Sequence, residues 1–136
     1  MKLNPYLTFS GQCELAFKFY EKALGGKIDA MMTAEGTPME QHVAPEWRKK
    51  IMHARLTVGG TVLMGSDAPP DRSEPMKGFN VTPNIDEPAE AERVFRALSE
   101  NGSVTMPIQE TFWAKRFGML TDQFGTPWMI NCEKPI

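Results

Sequence analysis

The apolar positions of this chain follow similar patterns in its first and second halves. Residues 4–9 alternate between polar and apolar side chains, and residues 80–85 do the same, which predicts two half-buried strands. Because Pro83 has no backbone N–H to donate, the second strand is expected at the edge of a sheet or beside an irregularity.

A helix is predicted after each of these strands. Apolar residues recur there at spacings of three and four, which places them on one helical face. The first stripe ends at Gly25-Gly26 and the second at Asn101-Gly102, and residues 86–88 (Asp-Glu-Pro) are typical of a helix start. The stripes comprise Ala16, Phe19, Tyr20, Ala23 and Leu24 in the first helix, and Ala91, Val94, Phe95 and Leu98 in the second.

Three short strands are predicted to follow each helix. They cover residues 27–33, 50–58 and 60–64 in the first half and residues 103–108, 116–121 and 125–129 in the second. The last strand of each set begins with the same spacing, Gly-Thr-x-x-Met. This repeated order predicts a duplication, with two tandem βαβββ modules in an α+β architecture.

The boundaries of the modules follow from proline and glycine. We expect a single domain over residues 1–136, with module one at about 1–66, a linker at about 67–78 and module two at about 79–136. Pro69 and Pro70 oppose regular structure in the linker. Residues 34–49 are expected to form a long loop with one helical turn near residues 46–49, and loops of this length are often functional.

Composition narrows the classes of function. The 136 residues include 15 basic and 17 acidic side chains, for a formal net charge of −2, so a nucleic-acid partner is not expected. No apolar run approaches the roughly 20 residues that cross a bilayer, and the first residues lack the features of a secretion signal. Cys13 and Cys132 are therefore expected to be free, buried thiols of a cytoplasmic protein that has no membrane partner.

Four stretches carry a family resemblance. They are residues 5–9 (PYLTF), Phe19-Tyr20 with Gly25-Gly26, residues 52–54 (MHA), and residues 117–131 (FGMLTDQFGTPWMIN). Together with the tandem modules, they resemble the vicinal oxygen chelate superfamily of glyoxalase I, bleomycin-resistance proteins and extradiol dioxygenases. The PhnB-like branch of that superfamily is the most similar.

The resemblance implies a fold and a partner. In this superfamily the two sheets form a cup with the helices outside, and modules commonly pair between chains, which implies a homodimer. Some PhnB-like members are labelled 3-demethylubiquinone 3-methyltransferases. This sequence has no glycine-rich nucleotide loop after a strand, so its residues do not support that label.

Strand alternation assigns side chains to the two faces of each sheet. The face toward the helices is expected to carry Leu7, Phe9, Met52, Ala54, Leu56, Val58, Val81 and Ile85. The cup is expected to carry Asn4, Tyr6, Thr8, His53, Arg55, Thr57, Asn80, Thr82 and Asn84, with Phe117, Met119 and Thr121 added by the repeat.

The resemblance also indicates where a metal ion would bind. Metal-dependent members use His and Glu on the first and last strands of the modules, and the corresponding positions here are Asn4, Met64, Asn80 and Met129. A neutral amide is a poor ligand for a divalent transition metal, and a thioether prefers Cu(I). Neither a metal ion nor another cofactor is therefore expected.

His53 is the strongest candidate for chemistry, because histidine exchanges a proton near neutral pH. Arg55 lies two residues further on the same face, so the pair could hold an anionic substrate and move a proton. In the alternative that we favour, His53 forms a hydrogen bond to a neighbouring strand or loop and Arg55 pairs with a carboxylate. His42 is expected to be solvated, Asp122 to form a turn, and Cys13 to pack in the core.

The sequence thus predicts a protein that binds a small organic molecule, with the metal site lost. The predicted ligand-binding residues are Asn4, Tyr6, Thr8, Arg55, Met64, Asn80, Thr82, Trp113, Phe117 and Met129. One alternative is a metal-independent lyase or isomerase that uses His53 as acid or base. A second is a metal-dependent lyase or dioxygenase whose ligands the sequence does not reveal.

Overall fold

A computed structural model describes residues 1–135 and shows two compact units, Met1–Glu74 and a second that begins at Pro75. The described residues contain two α-helices and seven strands, and the strands form two separate sheets. The predicted α+β class is confirmed. No helix in this part of the chain has the length and apolar character needed to cross a membrane.

The first unit has a four-stranded sheet and one helix. Its elements are β1 (Tyr6–Phe9), α1 (Cys13–Leu24), β2 (Lys27–Thr33), β3 (Ile51–Val58) and β4 (Thr61–Asp67). The strand order is β1-β4-β3-β2, with β1 parallel to β4 and the other pairs antiparallel. Since β4 continues to Asp67, regular structure extends one residue into the predicted linker.

The second unit repeats this order with one difference. Its elements are α2 (Pro88–Ser99), β5 (Ser103–Gln109), β6 (Ala114–Thr121) and β7 (Pro127–Glu133), and its sheet has the order β5-β6-β7. Instead of the strand predicted at residues 80–85, two isolated parallel bridges join Val81 and Asn84 to β7. Pro83 lies between them and has no N–H for the ladder, which explains the interruption. The predicted irregularity is confirmed.

The two helices cover one face of their own sheets. All four residues of the predicted α2 stripe are buried, as expected. The α1 stripe is rotated relative to the prediction, because Phe17 is fully buried while Phe19 is only partly covered. The buried face of α1 consists of Cys13, Ala16, Phe17, Tyr20 and Ala23, again at helical spacing.

The alternation predicted for β3 holds except at its start. Ala54 and Leu56 are fully buried, as expected, but Met52 is 38% exposed and Ile51 is buried in its place. The pairing with β2 moves from His53–Met32 directly to Ile51–Thr33, so Met52 is the extra residue of a bulge. The prediction that Met52 faces the helix was therefore wrong.

The long loop between β2 and β3 is ordered by its own hydrogen bonds. It contains 3₁₀ turns at Glu40–His42 and Pro45–Trp47, rather than the single turn predicted near residues 46–49. Arg48 donates from its side-chain Nε to the carbonyl of Glu40 at 3.2 Å, and Glu35 N donates to the carbonyl of Arg48 at 3.0 Å. These bonds join the end of the loop to its beginning and middle.

Candidate functional site

One face of the first sheet gathers most of the residues predicted for ligand binding in the first unit. Tyr6 pairs with Met64, and Met64 pairs with Arg55, so these three lie side by side across β1, β4 and β3. The neighbouring Gly65 faces α1, since a Cβ built on it would come within 2.8 Å of Phe17. Met64 therefore projects to the opposite face, which we call the His53 face and define by Tyr6, His53, Arg55 and Met64.

The imidazole of His53 contacts an aromatic ring rather than a hydrogen-bonding group. Its ring is stacked on that of Tyr6, with a centroid distance of 5.9 Å and an angle of 30° between the planes. Within residues 1–135, no hydrogen bond to the His53 side chain is found. The expected hydrogen bond to a neighbouring strand or loop was therefore wrong, and the stacked ring is half-buried.

Arg55 pairs with a carboxylate, as the favoured alternative predicted. Its Nε lies 3.3 Å from Oδ1 of Asp29, and the Thr57 hydroxyl donates to Oδ2 of the same carboxylate at 2.7 Å. Asp29 is the residue skipped where the β2–β3 pairing moves from Ile28 to Ala30. The sequence analysis missed Asp29 because a bulge sets its position. The one feature of the sequence that could have indicated it is a charged residue within an otherwise mostly apolar strand.

The remaining predicted residues of the first unit lie near this face. Thr8 is exposed on β1 and pairs with Ser66 of β4. Asn4 precedes β1 and is partly buried. His42 is exposed in the long loop, as expected.

The second unit carries a separate aromatic group. Phe117 is only 8% exposed and meets Trp113 edge-on, with ring centroids 5.3 Å apart. Phe117 pairs with Asn131, and Met119 pairs with Met129, so Met129 shares the face of Phe117. Asn80 and Thr82 are exposed in the segment beside β7. The predicted residues thus form one group in each unit.

The side chains at the four positions predicted to correspond to the family's metal ligands do not fit a divalent transition metal. Asn4 and Met64 supply an amide and a thioether in the first unit, and Asn80 and Met129 supply the same pair in the second. In the part of the chain that the structure describes, no group of three or more His, Cys, Asp or Glu side chains could hold a metal ion.

Two further residues have structural roles that the sequence indicated. Asp122 is buried and forms a turn, accepting hydrogen bonds from the backbone N–H groups of Phe124 (2.8 Å) and Thr126 (3.0 Å). It also accepts one from Nε1 of Trp128 at 2.8 Å. Burial raises the pKa of the Cys13 thiol, and the nearby Asp67 carboxylate adds to this rise, so Cys13 packs as a neutral thiol.

Comparison with known proteins places this fold in a family. The model of the Glyoxalase/Bleomycin resistance protein/Dioxygenase superfamily matches residues 2–130. Protein YjdN of Escherichia coli K12 is 36% identical over 145 aligned positions, which cover 98% of this chain and 97% of YjdN.

Solved structures agree with that assignment. The crystal structure of PA1353 from Pseudomonas aeruginosa is 48% identical, covers 99% of both chains and superposes with a TM-score of 0.89. The PhnB protein from Bacillus cereus, provisionally named a 3-demethylubiquinone-9 3-methyltransferase, is 22% identical with a TM-score of 0.79 and covers 97% of this chain and 99% of its own. The likeness to the Bacillus protein is one of fold. As the sequence motifs predicted, this chain belongs to the glyoxalase/bleomycin resistance protein/dioxygenase superfamily and has a PhnB-like fold.

Proposed function

We propose that this protein binds a small organic molecule on the His53 face, without a metal ion. The observation that carries the proposal is the stacked pair of Tyr6 and His53, whose imidazole forms no hydrogen bond within residues 1–135. A flat ring surface and an unused hydrogen-bonding group are what a site for a small, ring-containing ligand needs.

The charges on this face also suit binding. The Arg55 guanidinium is held through Nε by Asp29, and Asp29 is held in turn by Thr57. No hydrogen bond of the two terminal nitrogens of Arg55 is found in the described chain. These nitrogens form a planar fork that matches a carboxylate or another planar acceptor.

A metal-independent enzyme is the second candidate, and the free imidazole of His53 favours it. A catalytic histidine is usually oriented by a third group that holds its other nitrogen. No such group contacts His53 in residues 1–135, where its ring contact is with Tyr6. Binding without turnover is therefore the function that the geometry supports best.

Small ring compounds test the binding proposal. Benzoate, benzamide and phenol would be titrated into the ¹⁵N-labelled protein, and amide shifts of β1, β3 and β4 would be followed. We expect His53→Ala to weaken binding by a few-fold, and Gln41→Ala, a change at an exposed residue of the β2–β3 loop, to leave it unchanged. No shifts on these strands, or equal effects of the two variants, would contradict the proposal. For an enzyme, His53→Ala would instead lower turnover by roughly 10²–10⁴-fold with the fold intact.

Metal dependence is tested separately. Elemental analysis of untagged protein, with thermal melts in Ni(II), Fe(II), Zn(II) and Mn(II), is expected to show no stoichiometric ion and no rise in melting temperature. A stoichiometric ion would contradict the metal-free site, and would make a metal-dependent lyase or dioxygenase the leading function.

We propose two further properties, the first from the family resemblance and the second from the cysteines. We propose a homodimer, for which light scattering should give twice the 15.3 kDa mass of the chain. We also propose a cytoplasmic location, since the two cysteines are free, buried thiols. A monomer at micromolar concentration would contradict the first proposal, and recovery in an exported fraction would contradict the second.

A further inference from the structure

The first unit contains a cleft that the proposed function does not use. Its volume is about 600 Å³, within the range of small-molecule sites, and it lies between the β2–β3 loop and the segment after β4. Trp47, Pro69 and Pro70 supply apolar lining. Asp67 also lines the cleft. It lies three residues after Met64 on β4, so its side chain is on the opposite face of the sheet, toward α1. The cleft is therefore distinct from the His53 face.

An acidic group in this cleft keeps unused hydrogen-bonding capacity. Oδ1 of Asp67 accepts from the backbone N–H groups of Gly11 (2.9 Å) and Cys13 (3.0 Å), whereas Oδ2 accepts, among residues 1–135, only from that of Ile51 (2.9 Å). A carboxylate oxygen accepts about two hydrogen bonds, so Oδ2 can take one more. Asp71 and Glu46 add two further carboxylates to the lining.

Basic groups line the same cleft. Arg72 has no ion pair among the residues described, so its guanidinium is available to an anion. The ammonium of Lys50 donates to the carbonyl of Gly11 at 3.1 Å. A Cβ built on Gly11 would lie 3.5 Å from Lys50 and 3.7 Å from the indole of Trp47, so ammonium and indole flank one backbone position.

We propose that this cleft binds a small zwitterion with an aromatic or apolar body, the chemistry of a free amino acid. In this arrangement Asp67 and Asp71 hold the ligand ammonium, Arg72 holds the carboxylate, and the body packs against Trp47 and the two prolines. A lone anion would face three carboxylates, and a lone cation would face Lys50 and Arg72, so a ligand with both charges suits the lining best.

Three probes with the same ring test this proposal: L-phenylalanine, phenethylamine, which lacks the carboxylate, and 3-phenylpropanoate, which lacks the amine. Binding would be followed by the indole N–H signal of Trp47, one of three tryptophans, assigned with Trp47→Phe. We expect phenylalanine to bind at least about tenfold more tightly than either single-charge probe.

Matched variants separate the two charges. Arg72→Gln should weaken the binding of phenylalanine by about fivefold or more and leave the binding of phenethylamine unchanged. Asp71→Asn should weaken the binding of phenylalanine and leave the binding of 3-phenylpropanoate unchanged. Arg96→Gln, on the exposed side of α2, should leave the affinity for all three probes unchanged. No response of Trp47 to phenylalanine at about 10 mM, or equal affinity for the three probes, would overturn the proposal.

Discussion

Asp67 joins three segments of the first unit through one carboxylate. It accepts backbone N–H groups from the turn before α1, from the first residue of α1 and from the start of β3. The residue that precedes α1, Gln12, makes no side-chain cap, so Asp67 satisfies donors that a helix start leaves open.

Replacing this carboxylate should destabilise the protein. Asp67→Ala leaves three partly buried N–H groups without an acceptor, and we expect the free energy of unfolding to fall by about 2–4 kcal/mol in urea titrations. Asp71→Ala, at an exposed aspartate, is the control and should stay within about 0.5 kcal/mol of wild type. A loss below about 1 kcal/mol for Asp67→Ala would show that water replaces the carboxylate at these donors.

At the residue scale, the sequence predicted which side chains share a face better than it predicted their contacts. Tyr6, His53 and Arg55 lie on one face because strand alternation is a backbone property. Their partners depend on the pairing of distant strands, so the contact of His53 with Tyr6 could not be derived from spacing. Asp67 was assigned to the linker for the same reason, since its three donors are distant in sequence.

Helix α1 rests on its sheet at a position where only glycine fits. A Cβ on Gly65 of β4 would lie 2.8 Å from the ring of Phe17 and 2.9 Å from the carbonyl oxygen of Leu7. Phe17 is fully buried and the carbonyl belongs to the paired strand β1, so neither group can move away at low cost.

Overpacking at this contact should therefore lower stability. We expect Gly65→Ala to reduce the free energy of unfolding by about 1–3 kcal/mol, measured by chemical denaturation. Gly60→Ala is the matched control, because a Cβ there has no neighbour within 4 Å. That change should be neutral or stabilising by up to about 1 kcal/mol. Equal values for the two variants would mean that helix and sheet separate easily.

At the element scale, strands and helices followed from periodicity, whereas register did not. Strand β2 was predicted with the observed bounds, and the α2 stripe was predicted in full. The misplaced Met52 and the missed Asp29 both lie at bulges, where one extra residue reverses the alternation. A bulge depends on the paired strand, so a pattern along one strand cannot reveal it.

At the scale of the whole molecule, both units protect the outer strand of their sheets in the same way. Strand β2 ends the first sheet and β5 ends the second, and each carries two shifts in its pairing. Strand β5 also contains Pro107, which offers no N–H to a further strand. The two sheets thus share an arrangement of strands together with irregular edges that oppose uncontrolled pairing.

The connection between the units is where the whole chain should be most accessible to protease. The backbone hydrogen bonds of the described chain stop at Arg72 N, which donates to Pro69 O, and resume at Val81 N, which donates to Pro127 O. Arg72 and Lys77 are both exposed in this stretch. Exposed segments with few backbone hydrogen bonds are the preferred sites of cleavage.

Brief trypsin digestion should therefore cut first after Arg72 or Lys77, although the chain has 15 lysines and arginines. Mass spectrometry of early time points would identify the fragments, and the double variant Arg72→Gln, Lys77→Gln should remove these first cuts and slow digestion. This outcome would support a linker near residues 67–78, because the cuts would separate two ordered modules. Initial cleavage after Lys49 or Lys50 would contradict it, and would show that the β2–β3 loop, despite its internal hydrogen bonds, opens before the connection does.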